Sequence, residues 1–195
     1  MKGKILKLAI LGSGSGSNFQ AIADAISSKQ LDAEITGVFS DVPDAFILER
    51  ARRLGIYAEY LGDCIFKTRT DKNMEQLLIA RLHELEADYL VLAGFMRMIK
   101  AELISTFSNA IINIHPSLLP AFPGLAAWKQ ALDYGVKITG CTVHYVDSGM
   151  DTGKIILQRS VPVLPDDTPE TLHARIQEQE HIAYPEALRM LSRMG

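Results

Sequence analysis

The chain has 195 residues, 48% of them apolar and 22% charged, a balance that supports one globular core and excludes disordered, collagen-like and low-complexity classes. With 20 Lys and Arg against 23 Asp and Glu, the net charge of −3 gives no global attraction to nucleic acid or to an anionic membrane. The longest apolar run, Tyr89 to Met96, is far short of the roughly 20 residues that span a bilayer, and two cysteines, Cys64 and Cys141, build no disulfide framework. The opening MKGKILKLAILGSGSGS carries a short apolar run broken by Lys7 and followed by no small-x-small cleavage site, so it reads as a first strand. The expectation is a cytoplasmic protein with one domain over 1–195.

In chain order, Lys7 to Leu11 is a buried-type strand that ends at Gly12. Asn18 to Ile26 reads as a helix, with Phe19, Ile22, Ala23 and Ile26 on one face. A strand over Ile35 to Phe39 precedes the breaker Asp41-Val-Pro43, and a helix over Ala45 to Leu54 stops at Gly55. A brief strand, Ile56 to Tyr60, leads to a helix over Asp71 to Leu85, with Asp71 as cap and a stripe of Met74, Leu77, Leu78, Leu82 and Leu85. Tyr89 to Leu92 and Ala110 to Ile114 are further strands around a helix over Ala101 to Phe107.

Strands alternating with helices over short connections call for a doubly wound α/β fold, with a mostly parallel sheet and helices on both faces. After Leu125 to Tyr134 the pattern changes. Lys137 to Val146 and Lys154 to Val161 are longer strands joined by a polar loop, an antiparallel addition near the C-terminus. A closing helix over Pro169 to Met194 starts with Thr168 as N-cap and Pro169 at its first position.

Gly12-Ser-Gly14-Ser-Gly16-Ser-Asn18 lies between the first strand and the first helix, where glycines admit close approach and free N–H groups attract anions. No lysine completes a nucleotide-triphosphate loop, and a dinucleotide pattern from Gly12 would need glycine where Ser17 stands. Asp41 at the end of the second strand still imitates the acid that holds a dinucleotide's ribose. A phosphate-bearing ligand, a dinucleotide and a bare tight turn all remain open on this motif alone.

Asn113 and His115 stand two apart at the carboxyl end of the fifth strand, so their side chains share a face where doubly wound sheets bind ligands. An amide beside an imidazole suits an oxyanion clamp, and the imidazole also exchanges protons near neutral pH. A second polar group, His144-Tyr-Val-Asp147-Ser-Gly-Met-Asp151-Thr-Gly153, holds Asp151 between glycines, and a carboxylate near an imidazole fixes its tautomer. His115, His144, Asp147 and Asp151 also admit a metal site, though without a standard ligand spacing, and Asp147 also reads as an ordinary turn residue. No G-x-S-x-G elbow supports a covalent hydrolase.

Asn113-Ile-His115-Pro-Ser-Leu-Leu-Pro120 together with Asp151 in its loop resembles the folate-dependent formyltransferases, nearest to the branch that acts on glycinamide ribonucleotide in purine biosynthesis. Gly16-Ser-Asn18, Val38-Phe-Ser40, Ala93-Gly-Phe-Met-Arg-Met98 and Gln179-Glu-His181 extend the likeness from about Lys7 to Leu191. The resemblance implies a Rossmann-related formyltransferase fold, with 10-formyltetrahydrofolate as co-substrate and no metal. By the same resemblance Asn113, His115 and Asp151 form the catalytic trio. Gly16, Ser17 and Asn18 hold the nucleotide's phosphate, while Gln177 and Glu180 reach its ribose and glycinamide parts. Met96, Arg97, Met98 and Ile99 form the folate strip. Asn113 and the loop of Asp147, Ser148, Gly149, Met150 and Asp151 also touch the folate, with Arg69 near its glutamate tail. The resemblance further implies small-molecule substrates, no nucleic acid or membrane partner, and a monomer or homodimer.

Ser15 stands where the family often has a longer polar or basic residue, and Leu125-Ala-Ala-Trp128 lacks a histidine often found there. A formyltetrahydrofolate hydrolase shares the catalytic half but carries an amino-terminal regulatory domain, and a methionyl-tRNA formyltransferase adds a carboxyl-terminal domain and basic surface. Neither fits the expectation for this chain. A non-catalytic dinucleotide-binding module is the rival from another class.

Overall fold

The computed structural model describes residues 5–193; the amino-terminal residues 1–4 and the expected last helical residue, Met194, lie outside them. In chain order the elements are β1 (Leu6–Leu11), α1 (Ser17–Ser27), β2 (Ala33–Ser40), α2 (Phe46–Arg53), β3 (Ala58–Tyr60), α3 (Lys72–Glu84) and β4 (Tyr89–Leu92). There follow α4 (Ala101–Thr106), β5 (Ile111–His115), α5 (Ala127–Tyr134), β6 (Ile138–Tyr145), β7 (Ile155–Pro162) and α6 (Pro169–Leu191). Each expected element is present. The third strand starts two residues late because the Ile56 N–H still closes the end of α2, donating to Ala51 O at 2.9 Å.

Among the described residues the strands form one sheet in the order β3-β2-β1-β4-β5-β6-β7. Pairings are parallel from β3 to β5 and antiparallel at β5–β6 and β6–β7. Period-two alternation splits the core between the two faces. Leu8 and Ile10 pack with Phe19 of α1, Ile47 of α2 and Ile176 of α6, while Ala9 and Leu11 pack with Leu78 of α3 and Leu103 of α4. Asp71 caps α3 by accepting from Met74 N at 2.9 Å, and Thr168 caps α6 in a reciprocal box with Thr171.

Two features position the site. The chain crosses from β1 to β2 on one side and later returns to β4 on the other, which opens a crevice at the carboxyl ends of β1 and β4. The buried Tyr184 of α6 donates its hydroxyl hydrogen between Leu92 O at 2.8 Å and Ile112 O at 3.0 Å, docking α6 beside the ends of β4 and β5.

Candidate active site

The glycines after β1 have separate reasons. A Cβ at Gly12 would lie 2.6 Å from Ala93 O and 2.8 Å from Ile47 Cδ1, so this position serves the packing of β1 against the β4 exit. Gly16 has φ +73° and caps α1 in the left-handed region, where a Cβ would again meet Ile47. At Gly14 a Cβ would meet nothing within 4 Å. The first intrahelical bond is Gln20 N to Gly16 O, and no side chain caps α1, so the N–H groups of Ser17, Asn18 and Phe19 come before the helix ladder. Ser15 contributes backbone: its carbonyl accepts from Arg50 Nε at 2.8 Å.

Asp41 does not fit the dinucleotide reading. Its buried carboxylate accepts from Ser13 Oγ at 2.7 Å and from Arg97 Nε at 2.5 Å, so both oxygens are engaged inside the protein.

Antiparallel pairing sets Asn113 opposite His144 and His115 opposite Thr142 at the end of β5. His144 is buried, and desolvation pushes its pKa down, so the neutral ring is favoured. Its partners assign the tautomer: Nδ1–H donates to Tyr145 O at 2.8 Å, and Nε2 accepts from Asn113 Nδ2 at 3.3 Å. One amide hydrogen of Asn113 is thereby fixed and the other remains for a ligand. His115 Nδ1 lies 3.3 Å from Asp151 Oδ2, and Nε2 lies 2.9 Å from Phe122 O. Both ring nitrogens face oxygen acceptors, an arrangement that a doubly protonated imidazole satisfies completely.

Asp151 is held at φ +56°, unusual for a non-glycine residue, and Gly124 N donates to its Oδ2 at 2.8 Å. The loop around it leaves no room for larger neighbours. A Cβ at Gly149 would lie 2.0 Å from Thr152 Oγ1, and one at Gly153 would lie 1.7 Å from Tyr145 O. Asp147 is the staple of this loop, accepting from Gly149 N at 3.0 Å and Thr152 Oγ1 at 2.7 Å. Among the described residues no group of three His, Cys, Asp or Glu side chains is arranged to hold a metal ion.

These groups share one cleft of about 560 Å³. Its wall runs from the glycine loop through 92–99, Asn113 to Pro116 and the 146–152 loop to Gln177 and Glu180 of α6. Met96 and Met150, 65% and 52% exposed, supply apolar surface at its rim. Two expected residues are placed differently. Arg97 belongs to the wall, but its guanidinium is spent on Asp41 and the Phe66 carbonyl. Arg69 is not part of the wall: its guanidinium lies 4.1 Å from the centroid of the Phe66 ring, and its backbone bridges to Met98.

The match to a family model decides the affiliation: the formyl transferase model covers residues 6–188. The chain belongs to the formyl transferase family. It is 42% identical over 188 residues to phosphoribosylglycinamide formyltransferase of Bacillus subtilis (strain 168), covering 95% of this chain and 94% of that protein. It is 44% identical over 187 residues to the trifunctional purine biosynthetic protein adenosine-3 of Drosophila melanogaster, covering 95% of this chain but spanning only 14% of that protein. Among solved structures, glycinamide ribonucleotide transformylase 1 from Symbiobacterium toebii superposes with a TM-score of 0.92 at 45% identity, over 97% of this chain and 89% of that one. A formyltetrahydrofolate deformylase from Pseudomonas syringae shares the fold at a TM-score of 0.90 but only 25% identity, over 98% of this chain and 62% of that one.

In this formyl transferase, sequence reasoning missed the wall beyond Gln177. His173 lines the cleft and its ring stacks on Trp128, with centroids 3.8 Å apart and planes within 9°. An imidazole therefore arrives from α6 near the stretch where the family often carries one on the 125–128 turn. The i, i+4, i+7 spacing of His173, Gln177 and Glu180 was the available signal.

Glu180 is buried and accepts from Asn18 Nδ2 at 2.9 Å; desolvation raises its pKa from 4.5 to about 7, with the Asn18 bond opposing. Between about pH 4.5 and 7 the folded chain thus holds a proton that the unfolded chain releases. This contribution to stability is complete below the unfolded pKa and is lost as pH rises through the folded one. Urea unfolding across that window should show the wild type losing up to about 3 kcal/mol relative to Glu180→Gln, whose profile is flatter. Parallel profiles for the two proteins would contradict an elevated Glu180 pKa.

Proposed function

We propose that the chain transfers the formyl group of 10-formyltetrahydrofolate to the amine of glycinamide ribonucleotide, a step of purine biosynthesis. The observation that carries this reading is the cluster of Asn113, His115 and Asp151 in one cleft with an uncapped helix N-terminus and an apolar strip. An anionic nucleotide suits the first end: Gly16, Ser17 and Asn18 present N–H groups and a positive dipole to its phosphate, with Gln177 and Glu180 beside its ribose and glycinamide. A flat pterin suits the second, between Met96 to Ile99 and the 147–151 loop.

The neutral amine attacks the formyl carbon, forming a C–N bond and placing negative charge on the formyl oxygen. Asn113 donates its remaining amide hydrogen to that oxygen. The His115 Nε2–H, held on the Phe122 carbonyl in this structure, turns to the same oxygen. Asp151 holds the imidazolium from behind through Nδ1 and assists passage of the amine proton to N10 as the C–N10 bond breaks. Holding both reactants in line supplies much of the acceleration.

With this reading we infer one formyltransferase domain over 1–195, small-molecule partners, a cytoplasmic location and a monomer or homodimer. Both cysteines are free, and no described helix is long and apolar enough to cross a membrane. Absorbance of a 10-formylfolate is followed with and without glycinamide ribonucleotide. Deformylation only with the nucleotide is expected, whereas deformylation without it would mark a hydrolase.

A further inference from the structure

We propose that Asp41 is a positioning residue that sets the nucleotide half of the cleft in register with the folate half. The inference rests on the transferase reading above and adds to it a residue outside the cleft wall. Asp41 follows β2, and its side chain is only 3% exposed. Its Oδ1 accepts from Ser13 Oγ at 2.7 Å, and that same hydroxyl oxygen accepts from Met96 N at 3.1 Å. Ser13 N also donates to Gly94 O at 3.1 Å. The glycine loop is therefore tied to the start of the 94–99 strip through one serine and one carboxylate.

Asp41 Oδ2 accepts from Arg97 Nε at 2.5 Å, and Arg97 Nη1 donates to the Phe66 carbonyl. Backbone bonds from Met98 N to Thr68 O at 2.9 Å and from Thr70 N to Met98 O at 3.0 Å lock the 66–70 segment to the same strip. The two substrate anchors follow different strands, the glycine loop after β1 and the 94–99 strip after β4. Asp41, from the crossover after β2, bonds to both. Its charge is neutralised by a guanidinium only 16% exposed, so each charge depends on the other to stay in place.

Transfer between two bound substrates needs the reacting atoms within about 3–3.5 Å, and a misplacement of about 1 Å costs on the order of 10²-fold in rate. A residue that sets the spacing of two anchors therefore acts on kcat and leaves each binary affinity nearly intact. Asp41→Asn keeps the shape and an acceptor for Ser13 but removes the charge that Arg97 requires. The expected result is a fall in kcat of about 10–30-fold, with dissociation constants for glycinamide ribonucleotide and for a folate analogue, each measured alone, changed by less than about threefold.

Ser13→Ala removes the hydroxyl that joins Asp41 to the glycine loop and accepts from Met96 N, leaves the Arg97 pair in place, and carries the test if Asp41→Asn fails to fold. It should lower kcat by about 3–10-fold, and the double variant should be no worse than Asp41→Asn because the bonds act as one unit. Thermal unfolding is measured for every variant. If the wild type transfers formyl and folded Ser13→Ala keeps kcat within about twofold, the assignment of Asp41 is overturned alone. A loss of kcat that follows the loss of folded protein, or the loss of one substrate's binding, overturns it as well. A wild type that shows no nucleotide-dependent transfer overturns the transferase reading and this inference together.

Discussion

Asp151→Asn should lower turnover by about 10²-fold or more while nucleotide affinity stays nearly unchanged. The substitution is clean because Asn tolerates the left-handed backbone at φ +56°, and its carbonyl still accepts from Gly124 N. What disappears is the negative charge 3.3 Å from His115 Nδ1. Without it the imidazolium loses its partner and the oxyanion loses a charged donor, an effect confined to the transition state. His115→Ala should cost at least as much, and the double variant little more, since the two residues form one donor. Single-turnover rates with both substrates saturating, beside calorimetric titration with the nucleotide, would check this. Full activity in Asp151→Asn would remove Asp151 from the mechanism.

Gly16→Ala should raise the KM for the nucleotide by about 10–100-fold and leave folate-analogue binding within about threefold. An L-residue at φ +73° costs about 1–2 kcal/mol, and the new Cβ would stand 2.7–2.8 Å from the Ile47 side chain and 3.0 Å from its Cα. The loop has to shift, and with it the N–H groups at the start of α1. The folate strip is built after β4, meets the glycine loop through Ser13 and not Gly16, and keeps its own backbone bonds to the 66–70 segment. Separate binding titrations read the two halves independently. Equal loss of both ligands would point to general unfolding and against a phosphate cradle at this loop.

The element order and the layout of the core were legible in the residues alone. Alternation in β1 and the stripe of α3 report which side chains leave water, a local periodicity that burial then obeys. The pairing of Asn113 with His115 was legible for the same reason, since residues two apart on a strand share a face. The likeness to formyltransferases added Gln177 and Glu180, which spacing alone would have left as surface residues, and joined Asp151 to the amide–imidazole pair.

Other assignments waited for the third dimension because their partners are distant in sequence. Asp41 reads as a ligand-binding acid until Arg97, 56 residues away, is seen to occupy it. Arg97 is placed by the resemblance in the folate strip, and only the structure shows its guanidinium on Asp41 and the Phe66 carbonyl. Glu180 reads as a solvated helix residue until Asn18, 162 residues earlier, closes over it and burial raises its pKa.

The sequence by itself determined the strands, the helices, the glycine turn and the amide–imidazole pair, because local periodicity and backbone conformation follow from neighbouring residues. The tertiary structure alone decided which charges face the cleft and which are spent inside it. A charged side chain's role depends on what neutralises it, and folding brings that partner from elsewhere in the chain.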